Sequence, residues 1–168
     1  MKSNAKIRGV LRWAVIDKDG NVKTRGENHN IVTDEGDAMI ADLMSDSPAR
    51  TKVDNTNGHI QVGTGWTGTT PKGNEGVNTA TGSPEGMSAG YPQLKGSFGE
   101  ADDNVVQYRA LFAAGDLDAT GIDEAALLNH VTPASADCQA YARINPAVDV
   151  TTSDSLQVDW ELTILGGE

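Results

Sequence analysis

Ser155-Leu156-Gln157-Val158-Asp159-Trp160-Glu161-Leu162-Thr163-Ile164-Leu165 alternates without a break, with Leu156, Val158, Trp160, Leu162 and Ile164 on one side and Ser155, Gln157, Asp159, Glu161 and Thr163 on the other. A period of two belongs to a β-strand with one face in a core and one in water. Lys6–Ile16 reads the same way: Ile7, Leu11, Trp13 and Val15 oppose Lys6, Arg8 and Arg12. Asp17-Lys18-Asp19-Gly20 then supplies turn chemistry, with Gly20 free to take positive φ, so Asn21–Arg25 is predicted to return antiparallel.

Between these ends the pattern changes several times. Thr33 or Asp34 can cap a helix, Asp34, Glu35 and Asp37 suit the positive end of its dipole, and Ile40, Leu43 and Met44 share a face. This predicts one short α-helix over residues 34–45, stopped by Ser45-Asp46-Ser47-Pro48. His59–Val62 is a brief strand, and Asn104–Ala113, apolar on both faces, is expected to be central. Ile122–Asn129 is helical by propensity, but its shortness and flanking turns favour a strand. Gln139–Ile144 is a short strand that Asn145-Pro146 is expected to stop.

Residues 64–100 are dense in Gly, Thr, Ser and Pro and lack periodicity, yet carry Trp66, Tyr91, Leu94 and Phe98. They are expected to form a long irregular loop or arm that orders on assembly, because disordered linkers are poor in aromatics. The expectation is a single domain, residues 1–168, with residues 1–5 as an N-terminal arm. Its fold class is β-dominated: seven or eight strands in an antiparallel β-sandwich of jelly-roll type, with one short helix and a long Gly-rich insert.

Composition agrees, since 19 glycines among 168 residues and 38% hydrophobic content suit a loop-rich β domain. The formal charge of −11, from 24 acidic and 13 basic side chains, repels phosphate and anionic lipid. Direct nucleic-acid and membrane binding are therefore not expected. Cys138 is the one cysteine, so no intrachain disulfide forms, and its apolar neighbours predict a buried thiol. No apolar run approaches a membrane span and Met1–Ala5 lacks the hydrophobic stretch of a secretory signal, so production and assembly in a cytoplasm are expected.

Candidate chemistry fails on context. Gly63, Gly65 and Gly68 match the spacing of a dinucleotide loop, but Thr69-Thr70-Pro71-Lys72-Gly73 cannot open the helix that would face a pyrophosphate. Asp17–Asn21 and Asp116–Glu124 resemble calcium loops, yet Val22 and Leu127 stand where glycine and a bidentate glutamate belong; only the second leaves room for a non-standard calcium site. His29, His59 and His130 lack a partner at ligand spacing, and the adjacent pairs Asp102-Asp103 and Asp123-Glu124 read as solvated turn residues. No cofactor, metal or catalytic residue is predicted, and the chain is read as a building block rather than an enzyme.

Taken in order, Asn30–Gly36, His59–Gly65 with Thr69-Thr70-Pro71, Tyr108–Phe112, Gly121–Leu128, Tyr141–Arg143 and Ser155–Leu162 form a series that resembles a family of small structural proteins of tailed bacteriophages. The insert around residues 72–100 departs from that family's compact pattern. The resemblance implies a capsid decoration or cement protein that binds the outer capsid surface of the virion and bridges neighbouring copies of the major capsid protein. It also implies a homo-oligomer, a trimer before a dimer. Trp66, Tyr91 and Phe98 are the expected interface residues, their alternative role being to cover the ends of the domain itself. The other readings are a tail, neck or baseplate component, and a carbohydrate-binding β-sandwich with Trp66 and Tyr91 stacked on a sugar.

Overall fold

The computed structural model describes residues 6–69 and 71–165. The expected arm at residues 1–5 lies outside them. In chain order the elements are β1 (Lys6–Ile16), β2 (Val22–Val32), α1 (Asp34–Leu43), β3 (His59–Gly63), β4 (Ala80–Gly86), β5 (Gln93–Leu94), β6 (Val105–Phe112), β7 (Ala119–Leu128), β8 (Cys138–Val150) and β9 (Ser155–Leu165). The strands line up as β4-β3-β7-β8-β2-β1-β9-β6-β5, each antiparallel to its neighbours.

The fold is β-dominated as expected, but in place of two separate stacked layers there is one nine-stranded sheet, strongly curled into a half-barrel. β2 makes the difference. It pairs with β1 from Val22 to His29, then crosses to β8 at Asn30–Val32. Gly9 makes the crossing possible, because a Cβ there would sit 1.8 Å from Oδ1 of Asn30. Curling brings the two ends of the strand order together over one core. Ile60 and Val62 of β3 share it with Leu11 and Trp13 of β1, Phe112 of β6 and Trp160 of β9.

The alternating face of β9 is buried through Leu156, Val158, Trp160 and Leu162, with β1 on one side and β6 on the other, while Ile164 at the strand's end is half exposed. β7 is a strand, as the flanking turns predicted. β8 is longer than expected: it runs through Asn145-Pro146, which the sheet absorbs in a bulge between the pairs Glu124↔Arg143 and Ile122↔Val148. A bulge needs no ladder donor, so proline fits there. β6 is not central. Its outer side pairs with the two-residue β5 and takes single backbone bonds from Ser88 and Lys95, and Leu111 is partly in water.

Thr33 caps α1 by accepting from Gly36 N–H at 2.9 Å, and its hydroxyl donates to the Cys138 carbonyl. The helix docks through Gly36 and Met39 rather than through the expected face of Ile40, Leu43 and Met44, of which Ile40 is half-buried and Leu43 and Met44 are exposed. A Cβ on Gly36 would lie 2.1 Å from the Gln139 carbonyl oxygen, so the helix backbone rests on β8.

The 64–100 segment is more regular than its composition implied. It holds a 3₁₀ turn at Pro71–Gly73, β4 and β5.

Candidate functional site

Glu124 organises the first part of that segment. Read as a solvated turn residue, it is instead completely buried on the outward side of β7. Its Oε1 accepts from the backbone N–H groups of Gly65, Asn78 and Thr79, each at 2.9 Å. Its Oε2 accepts from Asn78 Nδ2 at 3.2 Å and from the Tyr141 hydroxyl. Next to it, Asp123 Oδ1 accepts from Trp66 N–H at 3.1 Å. The two carboxylates thereby tie the Gly-rich chain to the sheet by its backbone.

Trp66 completes the lock. Its ring stacks on Tyr141 with centroids 5.1 Å apart and planes 13° from parallel. With Val77 and Ala136 it covers Ala126, Leu128, Cys138 and Tyr141, a second apolar cluster on the outer face of the sheet. β7 is therefore buried on both faces from Glu124 to Leu128. Burial, together with the neighbouring Glu124 carboxylate, raises the Tyr141 hydroxyl far above its usual range, and burial does the same to the Cys138 thiol. Both groups stay protonated and serve packing.

The second part of the segment ends differently. Tyr91 lies beneath the Arg109 guanidinium, 5.0 Å from ring centroid to Cζ, and Arg109 Nε bonds Asp159 at 2.5 Å. Beyond β5 the chain turns tightly: Lys95 N–H bonds the Val105 carbonyl at 2.9 Å, Gly96 N–H the Asp102 carbonyl at 3.1 Å, and Gly99 N–H the Asp103 carboxylate at 2.9 Å. Asp102 takes φ of 65°, in the left-handed region, and Lys95 bridges Asp102 and Glu161. At the tip of this braced hairpin Phe98 is 98% exposed, with Leu94 at 57% near its base.

The three expected interface aromatics are thus separated. Trp66 covers the domain's own sheet, Tyr91 supports Arg109, and Phe98 alone faces solvent completely. One face of Trp66 packs on Tyr141 and one face of Tyr91 on the Arg109 guanidinium. The candidate calcium turns spend their carboxylates on the fold: Asp17 accepts from the N–H groups of Asp19 and Asn21, and Asp116 from Ala113 N–H. Nδ1 of His59 pairs with the Asn57 carbonyl and Nδ1 of His130 accepts from Thr132 N–H. Among the described residues, no three His, Cys, Asp or Glu side chains gather as metal ligands, and no helix is long and apolar enough to cross a membrane. After Gly63–Gly68 comes the 3₁₀ turn in place of a phosphate-facing helix.

Comparison with protein-family models, with curated proteins and with solved structures finds no match to this chain.

Proposed function

We propose that this chain is a virion structural protein of a tailed bacteriophage, a capsid decoration protein that binds the outer shell and bridges copies of the major capsid protein. The observation that carries the reading is Phe98. Burying a phenylalanine side chain is worth about 1.5–3 kcal/mol, and here a chain of backbone bonds holds one fully in water. A rigid aromatic tip loses little entropy on docking and suits an anchoring role. The proposed assembly forms in the host cytoplasm and ends on the virion. The resemblance noted above supplies the partner, and a self-associated chain gains avidity by presenting several such tips to a repeating lattice.

The test is addition of purified protein to capsids that lack it. The expected result is saturable binding in fixed stoichiometry, greater resistance of the shell to heat, and a loss of affinity on the order of 30-fold for Phe98→Ala, the size of a typical aromatic anchor. Protein that stays free of capsids and attaches to isolated tails sinks the reading in favour of a tail or baseplate component.

A further inference from the structure

β2 leaves an edge open. From Val22 to His29 it has β1 on one side, and on the other β8 is in register only with Asn30–Val32, because the remainder of β8 bulges away to follow β7. Lys23 falls in a bulge of its own, between the pairs Val15↔Thr24 and Ile16↔Val22, and turns to Asp154 at 2.8 Å. What remains is a regular stretch, Thr24–Asn28, about 17 Å long at the rise of a strand. Among the described residues no strand pairs with its outer side. Unpaired edges accept another strand unless something blocks them.

The residues on this edge specify one partner register. An antiparallel copy of the same stretch, centred on Gly26, sets Gly26 opposite Gly26, Thr24 opposite Asn28, and Arg25 opposite Glu27, the last pair occurring twice by symmetry. Opposite charges directly across a strand pair stabilise it, and like charges there destabilise it. Moving the centre to Arg25 would set Arg25 against itself. An open concavity of about 420 Å³ adjoins Gly26, lined by Arg12, Trp13, Ala14, Arg25, Glu27 and Asp159. Within one chain Glu27 pairs with Arg12 at 3.1 Å while both side chains remain largely in water, so an arginine of a second copy joins an existing pair rather than a vacant carboxylate.

We infer that two copies of this chain associate through antiparallel β2–β2 pairing about a two-fold axis at Gly26, with reciprocal Arg25–Glu27 ion pairs. Such a contact uses one patch twice and closes at two copies, so it forms a dimer; a trimer would need a different surface. It rests on the sheet edge alone and is independent of any capsid partner.

Sedimentation velocity and native mass spectrometry of charge-reversed chains test it. Arg25→Glu and Glu27→Arg each place like charges opposite one another twice, and each is expected to weaken association at least about tenfold, in line with cross-strand charge energies. An equimolar mixture of the two variants restores both ion pairs and is expected to form the heterodimer selectively, and the double variant R25E/E27R to recover the homodimer. Near-ultraviolet circular dichroism confirms that each variant is folded. A wild-type chain that remains monomeric at high concentration overturns the inference, as does self-association indifferent to these reversals.

Discussion

Glu124 is a carboxylate on a strand whose neighbours Ala125, Ala126, Leu127 and Leu128 are all buried, and no cation pairs with it among the described residues. It is tolerable there because three backbone N–H groups, an amide and a phenol fill its acceptor sites. Glu124→Ala would strand all of these donors. At about 1–3 kcal/mol for each buried donor left unpaired, partly relieved by relaxation, the expected loss is on the order of 3–5 kcal/mol. Glu124→Gln keeps one acceptor oxygen and is expected to lose roughly half as much. Urea unfolding measures both, and a loss below that of an ordinary surface substitution would show that the lock is dispensable. This residue was misread in the sequence for a clear reason: Asp123-Glu124 looks like any acidic turn, and its hydrogen-bond donors lie up to 59 positions away. The uninterrupted apolar run that follows Glu124 was the available signal.

Elements were more legible than residues. β1 and β9 each carry a local period that their final environment respects, and β7 was separated from a helix by its flanking turns. β4 was invisible, since Ala80-Thr81-Gly82-Ser83-Pro84-Glu85-Gly86 has neither alternation nor β-formers and exists by pairing with β3. The helix was right in extent and wrong in face. Its docking is decided by Gly36, which allows the backbone to approach Gln139 where Leu43 and Met44 could not. Gly36→Ala removes a helix-weakening glycine, which by propensity alone would stabilise. The collision should win: overpacking costs about 1–3 kcal/mol, so a net loss of about 1–2 kcal/mol is expected, with reduced protection of α1 amides in hydrogen exchange. A gain in stability from this substitution would mean that the helix is free to lift away from β8.

At the scale of the whole molecule, stability at the extremes of pH follows from groups that tie distant elements together. The Lys23 ammonium of β2, with help from Thr151, holds Asp154 down to about 2 against an ordinary 3.8. A depressed carboxylate contributes stability that is complete above its unfolded value and is lost as pH falls through the folded one. Acid destabilisation is therefore expected between pH about 4 and 2, and Asp154→Asn should blunt that part of the profile. Glu161, lowered by Gln107 and Arg12 against the opposing effect of its burial, adds to the same limb. At the alkaline end burial pushes Tyr108 up to about 12 and raises Tyr141 still further. A raised phenol stabilises below its unfolded value and loses that contribution as pH rises toward the folded one. Ultraviolet titration should find both phenols protonated until the fold gives way; ionisation of either near pH 10 in the folded protein would contradict the packing of the two apolar clusters.

The sequence alone determined that β1, β3, β6, β7 and β9 are strands, which face of β1 and β9 is apolar, where the helix starts, and that the domain is β-dominated and acidic. Those properties are local, because strand and helix periods and capping preferences are written within a few consecutive residues. Only the tertiary structure decided that β2 serves two neighbours and so joins the strands into one curled sheet, that Trp66 turns inward while Phe98 turns out, and that a carboxylate can sit beneath a glycine-rich cover. Each of these depends on groups far apart in the chain satisfying one another's hydrogen bonds and volume, and no local pattern encodes such a match.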